Sequence, residues 1–215
     1  MNETTSPSRG ADIDGVLLDL LMAVMDSVAI WVAAARDERR GLAWRDATTT
    51  SMAATRGYAP YEEIVADAAR EHGLPPAAVD ALVDGWQSIE PRPDAAAVRR
   101  LRLPYAFVTS SSERLATLAA SRSGLEPAFV LSAEAAGCYK PDPRIYLEGV
   151  RRLGTPAGRT LYVAGSLHDA VGAARAGLRA VLVRRRLDQP APPAGVSVAG
   201  SLEEVADALD FGRHM

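Results

Sequence analysis

Five short apolar runs, most of them followed by a stretch of helical periodicity, constrain this chain more than any other feature. The runs are GVLLDLL (15–21), YAFVTS (105–110), AFVLS (128–132), TLYVAGS (160–166) and AVLVRR (180–185). Each has the length and near-continuous apolar character of a strand covered on both faces of a parallel sheet. SERLATLAASRSG, DPRIYLEGVRRLG and HDAVGAARAG follow the second, third and fourth runs, and SLEEVADALD lies near the end. Strand and helix in alternation predict an α/β fold with helices on both faces of a parallel sheet.

The segment 27–90 breaks this alternation. VAIWVAAARDER, LAWRDATTTSMAATRG, YEEIVADAAREHG and PAAVDALVDGWQSI are all helical in pattern, punctuated by Gly41, Gly57, Gly73 and Pro75-Pro76. This predicts a helical domain at 27–90 inserted after the first strand of a core formed by 12–26 and 91–215. Residues 1–11 are polar and read as a flexible tail. PRPD at 91–94 is expected to open a helix back to the sheet, with Pro93 and Asp94 in its first turn. A chain of 215 residues with 48% hydrophobic content has enough core for one domain with a large insertion or for two small domains.

Charge and cysteine usage exclude several classes. A net charge of -3 lacks the concentrated basic field that nucleic acids or anionic membranes select, and RRR at 184–186 reads as a solvated strand end. No apolar run approaches the roughly 20 residues that span a bilayer, and the first residues carry no apolar leader core. The single Cys138 forms no internal disulfide, and Cys and His lack the spacing of a structural zinc site. The expectation is a cytoplasmic protein with a buried, inert thiol.

In parallel sheets, ligands bind beyond the carboxyl ends of the strands. There stand Asp19, the cluster Thr109-Ser110-Ser111, Lys140 in YKPDPRIY, and Ser166 to Asp169 in VAGSLHDAVGA. Singly, each has an ordinary explanation: a strand-end cap, a helix start from Ser111 with Glu113 or Arg114, a surface lysine. In this order and at these places they resemble the haloacid dehalogenase (HAD) superfamily, over about 15–185. The resemblance implies a HAD-like Rossmannoid core with a helical C1-type cap at 27–90. It also implies a carboxylate nucleophile, which divides one displacement into two easier steps through a covalent intermediate.

Two registers compete for the nucleophile. Asp12-Ile13-Asp14-Gly15-Val16 matches the Asp-x-Asp-Gly-Thr/Val string of the superfamily's phosphatases, but SPSRGA before it supplies no buried strand. Gly15-Val16-Leu17-Leu18 supplies that strand before Asp19, so Asp19 is preferred. In this register Leu21, Met22 and Ala23 replace the second aspartate, the glycine and the threonine of the motif, and Gly165 replaces a magnesium ligand. Phosphoryl transfer depends on metal and acid. A halide departs as an anion and needs neither.

The closer resemblance is therefore to the 2-haloacid dehalogenase-like branch. It implies a metal-independent hydrolase without cofactor, in which Asp19 attacks carbon of a small, anionic 2-substituted carboxylate. Thr109 and Ser110 would hold an oxyanion or the substrate carboxylate, with Ser111 beside them. Lys140 would support Asp19, and Asp169 would orient the lysine or the hydrolytic water. Arg45, in Leu42-Ala43-Trp44-Arg45, would receive the halide; Tyr146 matches an active-site tyrosine, and Ser166 stands in place of an asparagine. Two alternatives stay open: a Mg2+-dependent phosphatase using Asp12 and Asp14, and a repurposed scaffold acting as a binding protein. A homodimer is also left open. His168 could act as a base but more often such a residue caps or packs, His72 and His214 have no partner in sequence, and Trp31, Trp44 and Trp86 read as core of the inserted helices.

Overall fold

The structure, a computed structural model, describes residues 13–185 and 190–211. Asp12, the segment read as a flexible tail, Arg186 and His214 lie outside the described residues. Six parallel strands form one sheet: β1 (Gly15–Asp19), β2 (Tyr105–Thr109), β3 (Val130–Ser132), β4 (Thr160–Ala164), β5 (Arg179–Val183) and β6 (Val196–Ala199). Their order is β3-β2-β1-β4-β5-β6, so β1 is central. Every residue of β1 is buried, as a strand with neighbours on both edges and helices on both faces must be.

Each of the five apolar runs holds one of these strands. The first strand ends earlier than its apolar run, because Leu20–Val24 wind into a π-helical turn directly after Asp19. The sixth strand, β6, was not anticipated. It is an edge strand in which Ser197 is half-buried and Val198 is exposed, so its sequence lacks the apolar continuity that marks the others.

Four helices occupy the stretch between β1 and β2: α1 (Ser27–Ala35), α2 (Glu38–Ala54), α3 (Tyr61–Glu71) and α4 (Pro76–Gly85). Asp37 starts α2 by accepting a hydrogen bond from the Arg40 amide at 2.8 Å, and Pro76 sits in the first turn of α4, where a missing N–H costs nothing. Trp31 meets Trp44 edge-on with ring centroids 4.8 Å apart, and the buried Trp44 indole donates to the Val65 carbonyl at 2.9 Å. Trp86 packs edge-on against Tyr61. All three tryptophans are buried, Trp31 and Trp44 within α1 and α2 and Trp86 in the 3-10 turn that follows α4.

The segment after α4 departs from the sequence reading. Pro91 bridges Met25 as extended backbone, and only Ala95–Arg100 coil, as a 3-10 helix. The physical reason is Asp94. Its carboxylate does not cap the turn that follows but accepts from both guanidinium nitrogens of Arg185 (2.7 and 2.9 Å) and from the Leu202 amide (2.9 Å). Arg185 is thereby turned inward. Its second nitrogen also donates to the Ala23 carbonyl at 2.9 Å, so this member of the RRR run is a clamp rather than a solvated strand end.

The remaining helices are α5 (Glu113–Arg122), α6 (Ala133–Ala136), α7 (Pro143–Leu153), α8 (Leu167–Arg175) and α9 (Leu202–Phe211). Right-handed crossovers put α7 and α8 side by side on one face of the sheet and α5 on the other. The inserted helices reach the carboxyl edge of the sheet through Ser112, whose hydroxyl donates to Glu62 at 2.8 Å, and through Tyr139, which donates to the Ala59 carbonyl at 2.8 Å and stacks on Tyr58. Among the described residues no helix is long and apolar enough to cross a membrane.

Candidate active site

At the carboxyl end of β1, the Lys140 ammonium lies between two carboxylates, 2.9 Å from Asp19 Oδ1 and 2.8 Å from Asp169 Oδ2. All three side chains are only 7% exposed, so water does little to screen them. Burial by itself would lower the lysine's pKa, but the charges of Asp169 and Asp19 outweigh it and hold the pKa above the ordinary lysine value. Burial raises the Asp169 pKa and the nearby Asp19 charge adds to that, while Lys140 opposes both. With all three groups ionised, the set carries one net negative charge.

Asp169 is held on every side. Tyr146 donates to its Oδ1 at 2.7 Å and Tyr162 to its Oδ2 at 2.9 Å. Burial, reinforced by the Asp169 charge, drives the pKa of both phenols upward, which keeps them protonated and fixes them as donors. Gly172 makes room for one of them: a Cβ there would lie 2.6 Å from the Tyr146 hydroxyl. Asp19 is held on one side only. Among the described residues its Oδ2 accepts no hydrogen bond, so one oxygen is anchored by Lys140 and the other carries no donor.

Local structure brings these groups together. Asp19 and Thr109 are the last residues of β1 and β2, which pair with Asp19 opposite Val108. Ser166 precedes α8 and accepts from the Asp169 amide at 3.4 Å, while Asp142 caps α7 two residues beyond Lys140, accepting from the Arg144 amide at 2.9 Å. The π-helical turn after Asp19 is fixed by two arginines. Arg92 Nε donates to the Met22 carbonyl at 3.0 Å, and Arg185 holds the next carbonyl as described.

A cavity of about 100 Å³ opens here, between the sheet edge and the inserted helices. Asp19, Ser110, Lys140, Ser166 and Asp169 line it from the core, and Arg45 lines it from α2. Three other residues read from sequence lie behind this wall. Thr109 and Ser111 are fully buried, with their hydroxyl oxygens 3.3 Å apart, and Tyr146 is buried against Asp169. His168 lines the cavity at an exposed position; His72 ends α3 with its ring 3.1 Å from the Ala68 carbonyl. Cys138 is buried, as expected, and burial pushes its thiol pKa up.

Sequence reading missed Tyr162, Arg92 and Arg185. Tyr162 sits within an apolar run where its ring reads as core, and only its hydroxyl, reaching seven residues ahead, betrays the role. Arg92 and Arg185 act on carbonyls that are 70 and 162 residues distant in sequence, which no local pattern encodes.

Met22 also lines the cavity. The Arg45 Nη2 is 3.2 Å from the Met22 sulfur, the Ser27 hydroxyl is 3.6 Å from it on another side, and Arg45 Nη1 pairs with the exposed Asp46 at 2.7 Å. Behind Met22 the packing is closed: a Cβ added to Gly165 would lie 2.2 Å from the Met22 carbonyl carbon and 2.5 Å from the Ala23 nitrogen. The main chain of the π-helical turn therefore fills the space that an aspartate at position 165 would need.

This bears on metal. In the Asp19 register a magnesium-dependent phosphatase would call for an acid/base at Leu21 and a metal ligand at Gly165, and neither residue can serve. Among the described residues no group of three or more His, Cys, Asp or Glu side chains is arranged to hold an ion. The described residues do not fit the group. Asp14, the second carboxylate of the Asp12 register, lies at the opposite end of β1, where it pairs with Arg159 at 2.6 Å.

Comparison with known proteins agrees with this architecture. The sequence model of the haloacid dehalogenase-like hydrolases matches residues 11–177. An (S)-2-haloacid dehalogenase of Pseudomonas putida is 32% identical over 111 residues, which is 49% of this chain and 50% of that protein. The alignment thus spans about half the length of that curated relative. A dehalogenase crystallised as an intermediate complex superposes with a TM-score of 0.81 at 22% identity, covering 92% of this chain and 97% of the other. The L-2-haloacid dehalogenase of Xanthobacter autotrophicus with chloropropionic acid covalently bound superposes with a TM-score of 0.78 at 19% identity, covering 92% and 98%. The fold and the sequence match together place the chain in one family: it belongs to the haloacid dehalogenase-like hydrolases.

Proposed function

We propose that the protein hydrolyses small 2-haloacids without a metal, with Asp19 as nucleophile. The observation that carries this reading is the asymmetry of Asp19: one oxygen fixed by a buried lysine, the other unpartnered at a cavity that Arg45 also lines. The unpartnered oxygen forms a bond to C2 of the acid as the carbon–halogen bond breaks, and the electron pair leaves with the halide. No proton is required by the leaving group. That suits Leu21, which has none to give. Arg45, on the insertion side, is the cation that receives the halide, as the halide-bound guanidinium of a closed pocket. The inserted helices serve as a cap that excludes bulk water.

The second step adds water to the Asp19 carbonyl carbon and breaks the acyl–oxygen bond; one water proton goes to the departing alkoxide, giving a 2-hydroxyacid, and the other is released to solvent as the carboxylate is restored. Asp169, kept in place by Tyr146 and Tyr162, positions Lys140 and the water, with Ser166 as a further donor on that side. Lys140 offsets negative charge on the carbonyl oxygen as the tetrahedral species forms. Ser110 holds the substrate carboxylate, with Thr109 and Ser111 supporting it from behind. The named activities of the Pseudomonas and Xanthobacter proteins support the substrate class.

Halide release from 2-chloropropionate, set against p-nitrophenyl phosphate hydrolysis with and without Mg2+, tests the proposal. Halide release that is indifferent to chelator, with no phosphatase activity, is the expected result. Asp19→Asn should lower halide release by on the order of 10³-fold or more, since the attacking atom is lost. Magnesium-dependent phosphatase activity that survives Asp19→Asn would overturn the reading.

A further inference from the structure

We infer that Met22 is the specificity-determining residue of this site: it limits the substrate to acids of two or three carbons and gives the leaving-group side a polarisable wall that favours bromide and iodide over chloride. The inference deepens the dehalogenase reading and rests on it.

Three observations meet at this side chain. First, the cavity is small. Its volume of about 100 Å³ is well below the ~300–1,000 Å³ common for pockets that take drug-sized ligands. Met22 takes up space there that a glycine, the residue of the family motif at this place, would leave open. The side chain cannot retreat toward the sheet, because Gly165 already touches its main chain and its Cβ from behind. Nor is its backbone free to shift, since Arg92 holds its carbonyl at 3.0 Å.

Second, Met22 meets the cation proposed to receive the halide. With Arg45 Nη2 at 3.2 Å from its sulfur, the thioether and the guanidinium are adjacent walls of one subsite. A halide arriving at that nitrogen touches sulfur as well as N–H. Thioethers are soft and polarizable, so the contact is worth more to a large polarisable anion than to a small hard one.

Third, the lining shared with Met22 includes the large apolar side chains of Leu21, Trp31 and Met52, beside which Ser27, Thr49 and Tyr61 add only neutral hydroxyls, so no charged group besides Arg45 is supplied from the inserted helices to recognise a longer functionalised chain. Selection by this wall is therefore selection by length and softness.

The test uses the full-length protein with 2-chloro-, 2-bromo- and 2-iodopropionate and with 2-bromoacetate, 2-bromobutyrate and 2-bromohexanoate, in wild type, Met22→Ala and Met22→Leu. Each variant's circular dichroism and melting curve are compared with wild type. Met22→Ala should raise the ratio of kcat/KM for bromobutyrate over bromopropionate by about tenfold, the lower end of what room for one methylene is worth in an apolar pocket. Met22→Leu keeps the bulk and removes the sulfur. It should leave the length profile nearly unchanged and lower the iodide-to-chloride ratio several-fold relative to wild type, a comparison in which the intrinsic reactivity of the carbon–halogen bond cancels. An unchanged length profile in Met22→Ala, or an unchanged halide ratio in Met22→Leu, overturns this inference and leaves the dehalogenase reading intact. No halide release from any of these acids by wild type overturns both.

Discussion

A buried lysine shared by two aspartates is an expensive arrangement, and its cost shows what it is for. Replacing it with packed apolar side chains of like volume would often leave a protein as stable or more so. Removing one partner is a different matter. Lys140→Met should destabilise the fold by about 3–5 kcal/mol, because two carboxylates are then left buried and facing one another. The sign with pH distinguishes this from simple loss of packing. In wild type, the raised pKa of Lys140 means its stabilisation is fully present below the ordinary lysine value of about 10.4 and is lost as pH rises through the higher folded value. In the variant, the force that lowers the Asp169 pKa is gone and burial raises it further, so ionisation works against folding. Lys140→Met should accordingly lose more stability than wild type as pH rises from about 4 toward neutrality, because in wild type Lys140 opposes the burial that raises the Asp169 pKa. Urea unfolding at pH 4.5, 7 and 9 measures the contrast; parallel profiles would show that the charge set is not the source of the loss.

At the scale of elements, the π-helical turn after β1 decides the chemistry open to the site. An extra residue per turn places Met22 and Ala23 against Gly165, and the carbonyls of both residues are drawn outward by Arg92 and Arg185. Gly165→Asp, which would add a carboxylate beside Asp19 and Asp169, should therefore fail to create a magnesium site. It should cost about 3 kcal/mol or more, since its Cβ meets main chain rather than a flexible side-chain tip. Calorimetric titration with Mg2+ and thermal melting check both parts. Magnesium binding with unchanged stability would mean that the turn relaxes easily. The turn itself was not legible in the sequence. Leu20–Val24 continues the apolar run of β1 without a breaker, and its conformation is set by partners 70 and 162 residues away.

Across the whole molecule, Asp94 and Arg185 tie together segments that are distant in the chain: the approach to β2, the end of β5, the start of α9 and the turn that follows Asp19. Burial works against the Asp94 carboxylate, yet Arg185 and the Leu202 amide hold its pKa below the ordinary carboxylate value. That stabilisation is present above the unfolded value of about 3.9 and is lost as pH falls through the lower folded value. Asp94→Asn should cost about 2 kcal/mol at pH 7, the scale of a hydrogen bond to a charged group, and progressively less below pH 4. Thermal unfolding between pH 3 and 7 follows the difference. A constant penalty across that range would assign the loss to shape rather than charge.

The alternation of apolar runs and helical patterns determined, from sequence alone, that the core is a parallel α/β sheet, and the strand ends named Asp19, Lys140 and Asp169 as neighbours. These features are legible because strand burial and helical periodicity are local properties of the chain. The edge strand β6 escaped notice because an edge strand is half-exposed and its pattern is weak. Tertiary structure alone decided which candidates reach the cavity and which stand behind it, as Thr109, Ser111 and Tyr146 do, and it alone turned Arg185 inward. It also gave Met22 its consequence. A methionine after a strand-end aspartate is locally unremarked; only the approach of Gly165, Arg45 and Arg92 from three other parts of the chain makes it a wall, because hydrogen bonds and steric exclusion act through space and not along the sequence.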